Sequence, residues 1–373
     1  MVQGEATISS PWSVTVNGSE LTERNIIIAT GARPRTPEIA GIEKISCLTS
    51  DNLWELKSLP RRLLVVGSGA IGCELAQAFA QLGSRVTLVG RGDALLSSED
   101  PEVSELLLEQ FRREGIELLL QKKPHTFVVR DGEKLLQLTD LQNPQQEEIE
   151  VVFDQVLLAA GRAANTEGLG LESLGVELNQ RGFIESNHYL QSHCPSIYLC
   201  GDVAGSYQLT HAASNQAWTA TINTLFGFVK RFKLNETVMP WVTFTSPEIA
   251  QVGLNEVRAQ AAGVAYEVTQ FPFSELDRAI TEDEQQGWIK VLTVPGRDKI
   301  LGVTIVGERA GDLLQEYVVA MRYGLGLNKI LGTIHPYPPF VEINQRVAGA
   351  WKRAHAPKGL LKWATRLHAW RRG

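Results

Sequence analysis

No uninterrupted apolar stretch in this chain approaches the roughly 18 residues that a bilayer-crossing helix requires, so no segment is read as a membrane span. The opening residues Met1, Val2, Gln3, Gly4 and Glu5 lack the basic run and apolar core of a secretory signal, and a cytoplasmic location is expected. Cysteine is scarce. Cys47, Cys73, Cys194 and Cys200 are the only four, and none are spaced as CxxC or CxxxxC. That spacing gives no zinc pattern, and the four read as mostly buried thiols in a reducing compartment, with Cys73 a small apolar packer. An excess of positive charge is missing as well: the net charge is −6 and the pI is near 5.8, with no basic, aromatic-interleaved groove. A nucleic-acid partner is therefore excluded. Low-complexity linkers are absent too, and 373 residues with 43% hydrophobic and 21% charged content read as two or three ordinary globular domains.

What is present begins with glycine. Residues 63–91, LLVVGSGAIGCELAQAFAQLGSRVTLVGR, read as strand, glycine turn, helix and strand. The apolar run Leu63 to Val66 comes first, helix-spaced Leu75, Ala76, Phe79, Ala80 and Leu82 follow, and Val86 to Val89 closes the unit. In such a unit Gly67 turns the chain tightly off the strand, Gly69 lets a pyrophosphate approach, and Gly72 brings the helix against the sheet. Ser68, Ala70 and Ile71 complete the turn, and the helix N-terminus faces the anion. Dinucleotide binding is expected here, against the plainer alternative of a purely structural βαβ unit.

The end of the second strand decides which dinucleotide. A carboxylate there bonds the ribose 2′-hydroxyl of NAD, whereas a basic residue accommodates the 2′-phosphate of NADP. Gly90 and Arg91 stand at that place, which favours NADP, with NAD the alternative and a solvated strand-end charge the bland reading of Arg91. Glu74 is polar on an otherwise apolar helix. Either it sits near the nicotinamide end, or it is a first-turn carboxylate complementing the helix dipole.

Three blocks follow from the strands and turns. Residues 5–35 alternate as a β-meander with an Asn17-Gly18 hairpin and end on Ile26, Ile27, Ile28 and the small residues Ala29, Thr30 and Gly31. The nucleotide block, about 56–155, continues with a helix from Pro101 to Glu114, a strand from Ile116 to Leu120, and a hairpin joining Thr126–Arg130 to Leu135–Thr139 through Asp131-Gly132. Val156 to Arg162 then repeats the shape of Ile26 to Arg33, a buried strand ending in small residues, Gly161 and Arg162. Each copy passes bare backbone close to a cofactor. Ile197 to Asp202 is another buried strand, with Gly201 and Asp202 at the carboxyl end where open α/β sheets bind ligands; taken alone, Asp202 also reads as a turn initiator. After Met239-Pro240 come expected strands at Trp241 to Phe244, Ala265 to Phe271, Gly287 to Val294 and Ile300 to Val306, with helices from Leu254 to Ala262, Gly311 to Tyr323 and Pro338 to Ala350. That block is α+β and carries no glycine fingerprint.

Ala29-Thr30-Gly31, the Gly67/Gly69/Gly72 turn, Ala160-Gly161-Arg162, Gly201-Asp202 and His335-Pro336-Tyr337-Pro338 resemble, in order and spacing, the pyridine nucleotide-disulfide oxidoreductases. The likeness covers essentially the whole chain and is strongest to the mercuric reductase-like and dihydrolipoamide dehydrogenase-like branch. It implies an α/β fold in which a Rossmann-type domain is inserted in a partial FAD-binding domain and followed by an α+β dimerisation domain. The implied boundaries are 1–55 and 156–237 for FAD, 56–155 for NAD(P), 238–350 for the homodimer interface and 351–373 for a basic tail. FAD joins NADP as an implied cofactor, with Asp202 on its ribityl chain, Gln208, Leu209, Thr210 and His211 near the isoalloxazine, and Ala29 to Gly31 along its length. The implied activity is FAD-dependent NAD(P)H oxidoreduction, with hydride passed to the flavin and on to a disulfide, a metal ion or another small acceptor.

Two departures limit the resemblance. Family members begin with a further βαβ unit that holds the FAD glycine turn and a CxxxxC redox disulfide, and neither occurs in these residues. The chain therefore reads as an N-terminally truncated member, and a catalytically incomplete nucleotide-binding, dimerising remnant is the alternative. Cys194 and Cys200, flanking Pro195 and the Ile197 strand, are not offered as a substitute pair. Second, the disulfide reductases use a His, held by a Glu five residues on, to protonate the substrate thiolate. In that register the His position is Tyr337, with Glu342 following, and His335 falls two residues early and reads as a structural histidine. Tyr at this place resembles mercuric reductase. With an ordinary pKa of about 10 it donates a hydrogen bond but is a poor base at neutral pH; interface packing is its plain alternative. In the tail, Leu360, Trp363, Ala364, Leu367 and Trp370 share one helical face among basic residues. Docking on the chain's own interface domain is the favoured reading, and a membrane-surface contact the second. No metal site is expected.

Overall fold

The computed structural model describes residues 1–145 and 148–372. Gln146 and Glu147, within the expected nucleotide block, and Gly373, at the end of the tail, lie outside the described residues. The chain forms two units, one from residues 1–67 and 122–236, the other from residues 68–121 and 237–373.

The first unit opens on the expected meander: Ala6–Ser10, Ser13–Val16 and Ser19–Thr22 pair antiparallel in sequence order, turning at Asn17-Gly18. Its parallel strands are mostly buried, which is why they read as continuous apolar runs instead of alternating ones, although Ile26 is half-buried and Ile27 exposed. Ile26–Ile28 pairs with Ile197–Leu199, and Gln155–Leu158 lies between Cys47–Leu48 and Arg62–Val66. The two echoing segments meet, because Ala32–Pro34 pairs antiparallel with Arg162–Ala164. Lys122–Arg130, Glu133–Asp140 and Ile149–Phe153 make an antiparallel sheet. Its hairpin is longer than expected, and the strand Ile149–Phe153 was not foreseen; Val151 and Phe153 turn inward while Glu150 stays out to meet Arg130. A core of Ile8, Ile28, Phe183, Ile184, Ile197, Leu199 and Val203 holds the unit together, each fully buried aliphatic chain stabilising it by roughly 1.5–3 kcal/mol.

In the second unit the helix Ala70–Gln81 leads to the strand Arg85–Val89, which pairs parallel with Glu117–Leu119 across the helix Pro101–Arg113. Pro101 opens that helix, at a position whose N–H has no helical partner anyway. A five-stranded antiparallel sheet follows, in the order Pro240–Thr243, Glu248–Gly253, Ile300–Gly307, Trp288–Thr293 and Glu267–Pro272. Glu248–Gly253 is the strand the pattern hid. Its buried Gln251 interrupts the apolar run and is tolerated because the Thr304 hydroxyl donates to its side-chain oxygen. The helices Ala310–Arg322 and Glu342–Ala354 cover the sheet with Leu313, Leu314, Tyr317, Ile343, Val347 and Trp351. The second of these begins later than expected, since Pro338 and Pro339 lack an N–H and the first turn closes from Glu342 N to Pro339 O. The tail forms the helix Lys358–Arg371, with Leu360, Trp363 and Trp370 exposed, so the favoured docking of that face on the chain itself is not what the structure shows. Among the described residues, no helix is long and apolar enough to cross a membrane.

Candidate functional site

The glycine turn is built almost entirely from backbone. Arg62–Val66 is buried and delivers the chain to Gly67, whose φ is +128°. A Cβ there would stand 2.3 Å from the Ala159 carbonyl oxygen, so both conformation and space demand glycine. Gly69 caps the helix Ala70–Gln81 in an extended conformation, with no side-chain cap and nothing within 4 Å of where its Cβ would be. Gly72 is buried on the following turn. Ser68, Gly69, Ala70 and Ile71 thus carry a 12-residue helix whose first amide donors meet no capping side chain, the arrangement that binds anions.

At the end of Arg85–Val89, Gly90 is buried and a Cβ on it would press on Leu120 at 2.8 Å and on the Ser68 hydroxyl at 3.0 Å. A carboxylate at Gly90 would therefore have to displace Leu120 and crowd Ser68. Arg91 is exposed, and among the described residues no ion pair or hydrogen bond engages its guanidinium. Glu74 accepts from the Phe244 amide at 2.8 Å, a partner that neither sequence reading named. Burial pushes its carboxyl above the ordinary range, with the Phe244 bond pulling the other way. One turn on, buried Gln77 accepts from Ser246 N and donates to Ser246 O and Glu114.

A second constellation, in the first unit, is built from side chains. The Arg162 guanidinium donates to Asp202 Oδ2 at 3.2 Å and to the Ala32 carbonyl at 2.6 Å. Asn165 brackets Thr30 and Gly31: it donates to the Thr30 carbonyl at 2.9 Å, takes the Thr30 hydroxyl on its own carbonyl at 2.7 Å, and its amide bonds Gly31 O at 3.0 Å. Ala29 is exposed beside them, and Gly161 O receives Arg35 N. Gly201, at φ +78° and ψ −160°, offers its amide to the Gln216 side chain at 2.8 Å, and so lies along the helix Thr210–Phe226. Leu209 precedes that helix without capping it, and Thr210 and His211 form its exposed first turn. Among the described residues, the buried Nε2 of Gln208 has no hydrogen-bond partner. A buried donor left unmet costs about 1–3 kcal/mol, and a cofactor carbonyl would satisfy it. With the uncapped helix at Thr210, this unmet donor is chemically suited to the flavin end of FAD that the resemblance implies.

Tyr337 is exposed, and its hydroxyl donates to Asp277 Oδ2 at 2.7 Å, a bond and charge that push the phenol above its ordinary value. Glu342 does not hold it. That carboxylate is buried and accepts from Arg346 one turn along its own helix. His335 is held by Glu316 instead. All four cysteines are free, and burial pushes the thiols of Cys47, Cys73 and Cys200 up, Cys73 to about 12, far from a reactive thiolate. Sequence reading also missed a cluster of Asp100, Glu102 and Glu256. Lys290 Nζ sits among them, 2.5 Å from Asp100, 2.8 Å from Glu256 and bonded to Glu102, so their charge is already met by an ammonium.

Residues 1–217 match the family model of the pyridine nucleotide-disulphide oxidoreductases, and residues 239–348 match that family's dimerisation domain. The chain belongs to this family. It is 39% identical over 345 residues to a mercuric reductase of Lysinibacillus sphaericus, covering 92% of this chain and 62% of that protein. Identity is 36% over 342 residues to a Staphylococcus aureus mercuric reductase, covering 92% and 61%, and 35% over 349 residues to a Thermus scotoductus dihydrolipoyl dehydrogenase, covering 92% and 73%. The chain thus spans about three fifths of the length of the mercuric reductases it matches. Among solved structures, LpdA of Mycobacterium tuberculosis superposes with a TM-score of 0.83 at 27% identity, over 93% of this chain and 75% of that one. The flavoprotein disulfide reductase RclA of Escherichia coli superposes with a TM-score of 0.84 at 24% identity, over 93% and 78%, and supports the fold.

Proposed function

We propose that the chain works as an FAD-dependent NAD(P)H oxidoreductase of the mercuric reductase or disulfide reductase type. The observation that carries this reading is the turn at Gly67, where only glycine clears the Ala159 carbonyl and the chain opens onto an uncapped helix N-terminus. Likeness to the mercuric reductases supports it. In this reading Gly67 to Gly72 hold the pyrophosphate, and the free Arg91 takes the 2′-phosphate, preferring NADP to NAD. Ala29 to Gly31, Gly161, Arg162, Gly201, Asp202 and Gln208 to His211 hold FAD. When bound, FAD supplies the chemistry that accepts hydride from NAD(P)H and passes electrons to a disulfide, a metal ion or another small acceptor. Glu74 fixes the Phe244 segment against the nucleotide helix, and the Tyr337 hydroxyl, its proton donated to Asp277, turns its oxygen to the acceptor. The domain roles follow: 1–55 and 156–237 for FAD, 56–155 for NAD(P), and 238–350 for a homodimer, with the exposed tail helix available to a membrane surface.

The four free thiols, none of them spaced as CxxxxC, favour a second reading for these residues, a nucleotide-binding, dimerising chain without turnover. One experiment separates the two. The chain is loaded with FAD and given NADPH, and flavin absorbance, dye reduction and thiol release from a disulfide are followed together. Flavin bands with dye reduction support the first reading, even without thiol release. A colourless protein that still binds NADPH establishes the second.

A further inference from the structure

His335 lies two residues before Tyr337, on the loop between the helices Leu327–Leu331 and Glu342–Ala354. Its side chain is 4% exposed, whereas Ile334 and Tyr337 on the same loop are 94% and 68% exposed. A loop that keeps two large apolar groups in water gains nothing from their burial and needs another anchor. That anchor is polar. Nδ1 of His335 lies 3.0 Å from the Thr333 carbonyl oxygen, and Nε2 lies 3.0 Å from each oxygen of the Glu316 carboxylate. Both ring nitrogens thus face oxygen atoms, one of the backbone and two of the carboxylate.

The carboxylate is itself fixed. Glu316 belongs to the helix Ala310–Arg322, and its Oε2 accepts at 2.8 Å from the buried Asn344 of Glu342–Ala354, which also donates to the Leu313 carbonyl at 3.0 Å. Gln345 donates to Thr333 O at 3.2 Å, and the Thr333 hydroxyl donates to Lys329 O at 2.9 Å. Three helices therefore grip the loop at Thr333 and His335, and from that grip the Tyr337 hydroxyl reaches Asp277.

We infer that His335 is a positioning residue for Tyr337: the two-sided hold on its ring by Glu316 and Thr333 fixes the loop that presents the Tyr337 hydroxyl. The inference rests on the proposed role of that hydroxyl. Its test reads Tyr337 directly, by ultraviolet titration of the tyrosinate in the full chain, taken as the difference from Tyr337→Phe. In His335→Ala the loop loosens, the Asp277 bond weakens, and Tyr337 ionises closer to the ordinary value of about 10. His335→Gln, which keeps one donor, gives an intermediate shift. A folded His335→Ala protein that titrates as the wild type overturns the inference. If His335→Ala does not fold, Glu316→Gln is read the same way, and an unshifted curve there is equally fatal. Failure of the functional reading looks different: Tyr337→Phe keeps full turnover while the His335 variants still shift the titration.

Discussion

Gly67 and Gly201 each end a buried parallel strand and turn the chain with a positive φ toward a helix N-terminus, yet the two sites are made of different material. Beyond Gly67 there is backbone: no acidic or basic residue lies in the first turn of Ala70–Gln81, and no side chain caps it. Beyond Gly201 there are side chains, with Asp202 held by Arg162 and the Gly201 amide held by Gln216. Space differs too. A Cβ at Gly67 would strike a carbonyl at 2.3 Å, whereas at Gly201 its nearest neighbour is the Ala213 methyl at 3.5 Å. A backbone site tolerates no change at its turn and much at its surface; a side-chain site should behave in the opposite way.

The harshest test of that contrast is Gly67→Ala, which adds an overlap with rigid backbone to the strain of a positive φ and should cost more than about 3 kcal/mol in urea unfolding. Gly201→Ala carries the strain alone and should cost about 1–3 kcal/mol. Equal losses at the two positions would show that space at Gly67 is not limiting.

Arg91 is the one side chain that the backbone site adds. Arg91→Glu should leave stability unchanged, because among the described residues nothing holds this guanidinium, and should weaken NADPH binding about tenfold, or about 1.4 kcal/mol, while sparing NADH. Calorimetry in which the wild type prefers NADH overturns the assignment. At the other site, Asp202→Asn removes the partner of a partly buried Arg162 and should cost about 1 kcal/mol, with flavin retained less well through dialysis. Unaltered stability would mean that Ala32 O alone suffices to place Arg162.

The same contrast explains what could be read in advance. The Gly67 turn is a spacing of three glycines within six residues, a local property that survives without any knowledge of the fold. Arg162 and Asp202 were each singled out, but they lie 40 residues apart and nothing local announces their bond. Asp277 was invisible for the same reason, standing 60 residues from the tyrosine it holds. Glu342 misled because a five-residue register was carried over, while the local spacing to Arg346 sets the bond that forms. Parallel strands were easily seen as apolar runs, whereas Glu248–Gly253 was hidden by a buried glutamine whose side-chain oxygen is met by a threonine on the neighbouring strand.

Glu74 offers the finest test, because it is the charged group closest in sequence to the backbone site and, among the described residues, no cation balances it. Burial holds its carboxyl above the ordinary range, so the folded chain keeps this proton more tightly than the unfolded chain does. The stability it contributes is therefore present below the ordinary glutamate pKa of about 4.3 and is lost as pH rises through the higher folded value. Glu74→Gln retains an oxygen for the Phe244 amide and removes the charge that burial penalises. At neutral pH the variant should be as stable as the wild type or slightly more so, and the difference should vanish in acid, as read from urea midpoints across that range. A variant less stable at neutral pH would mean that the Glu74 charge is compensated after all, and that the backbone site, like its counterpart at Gly201, depends on an ionised side chain.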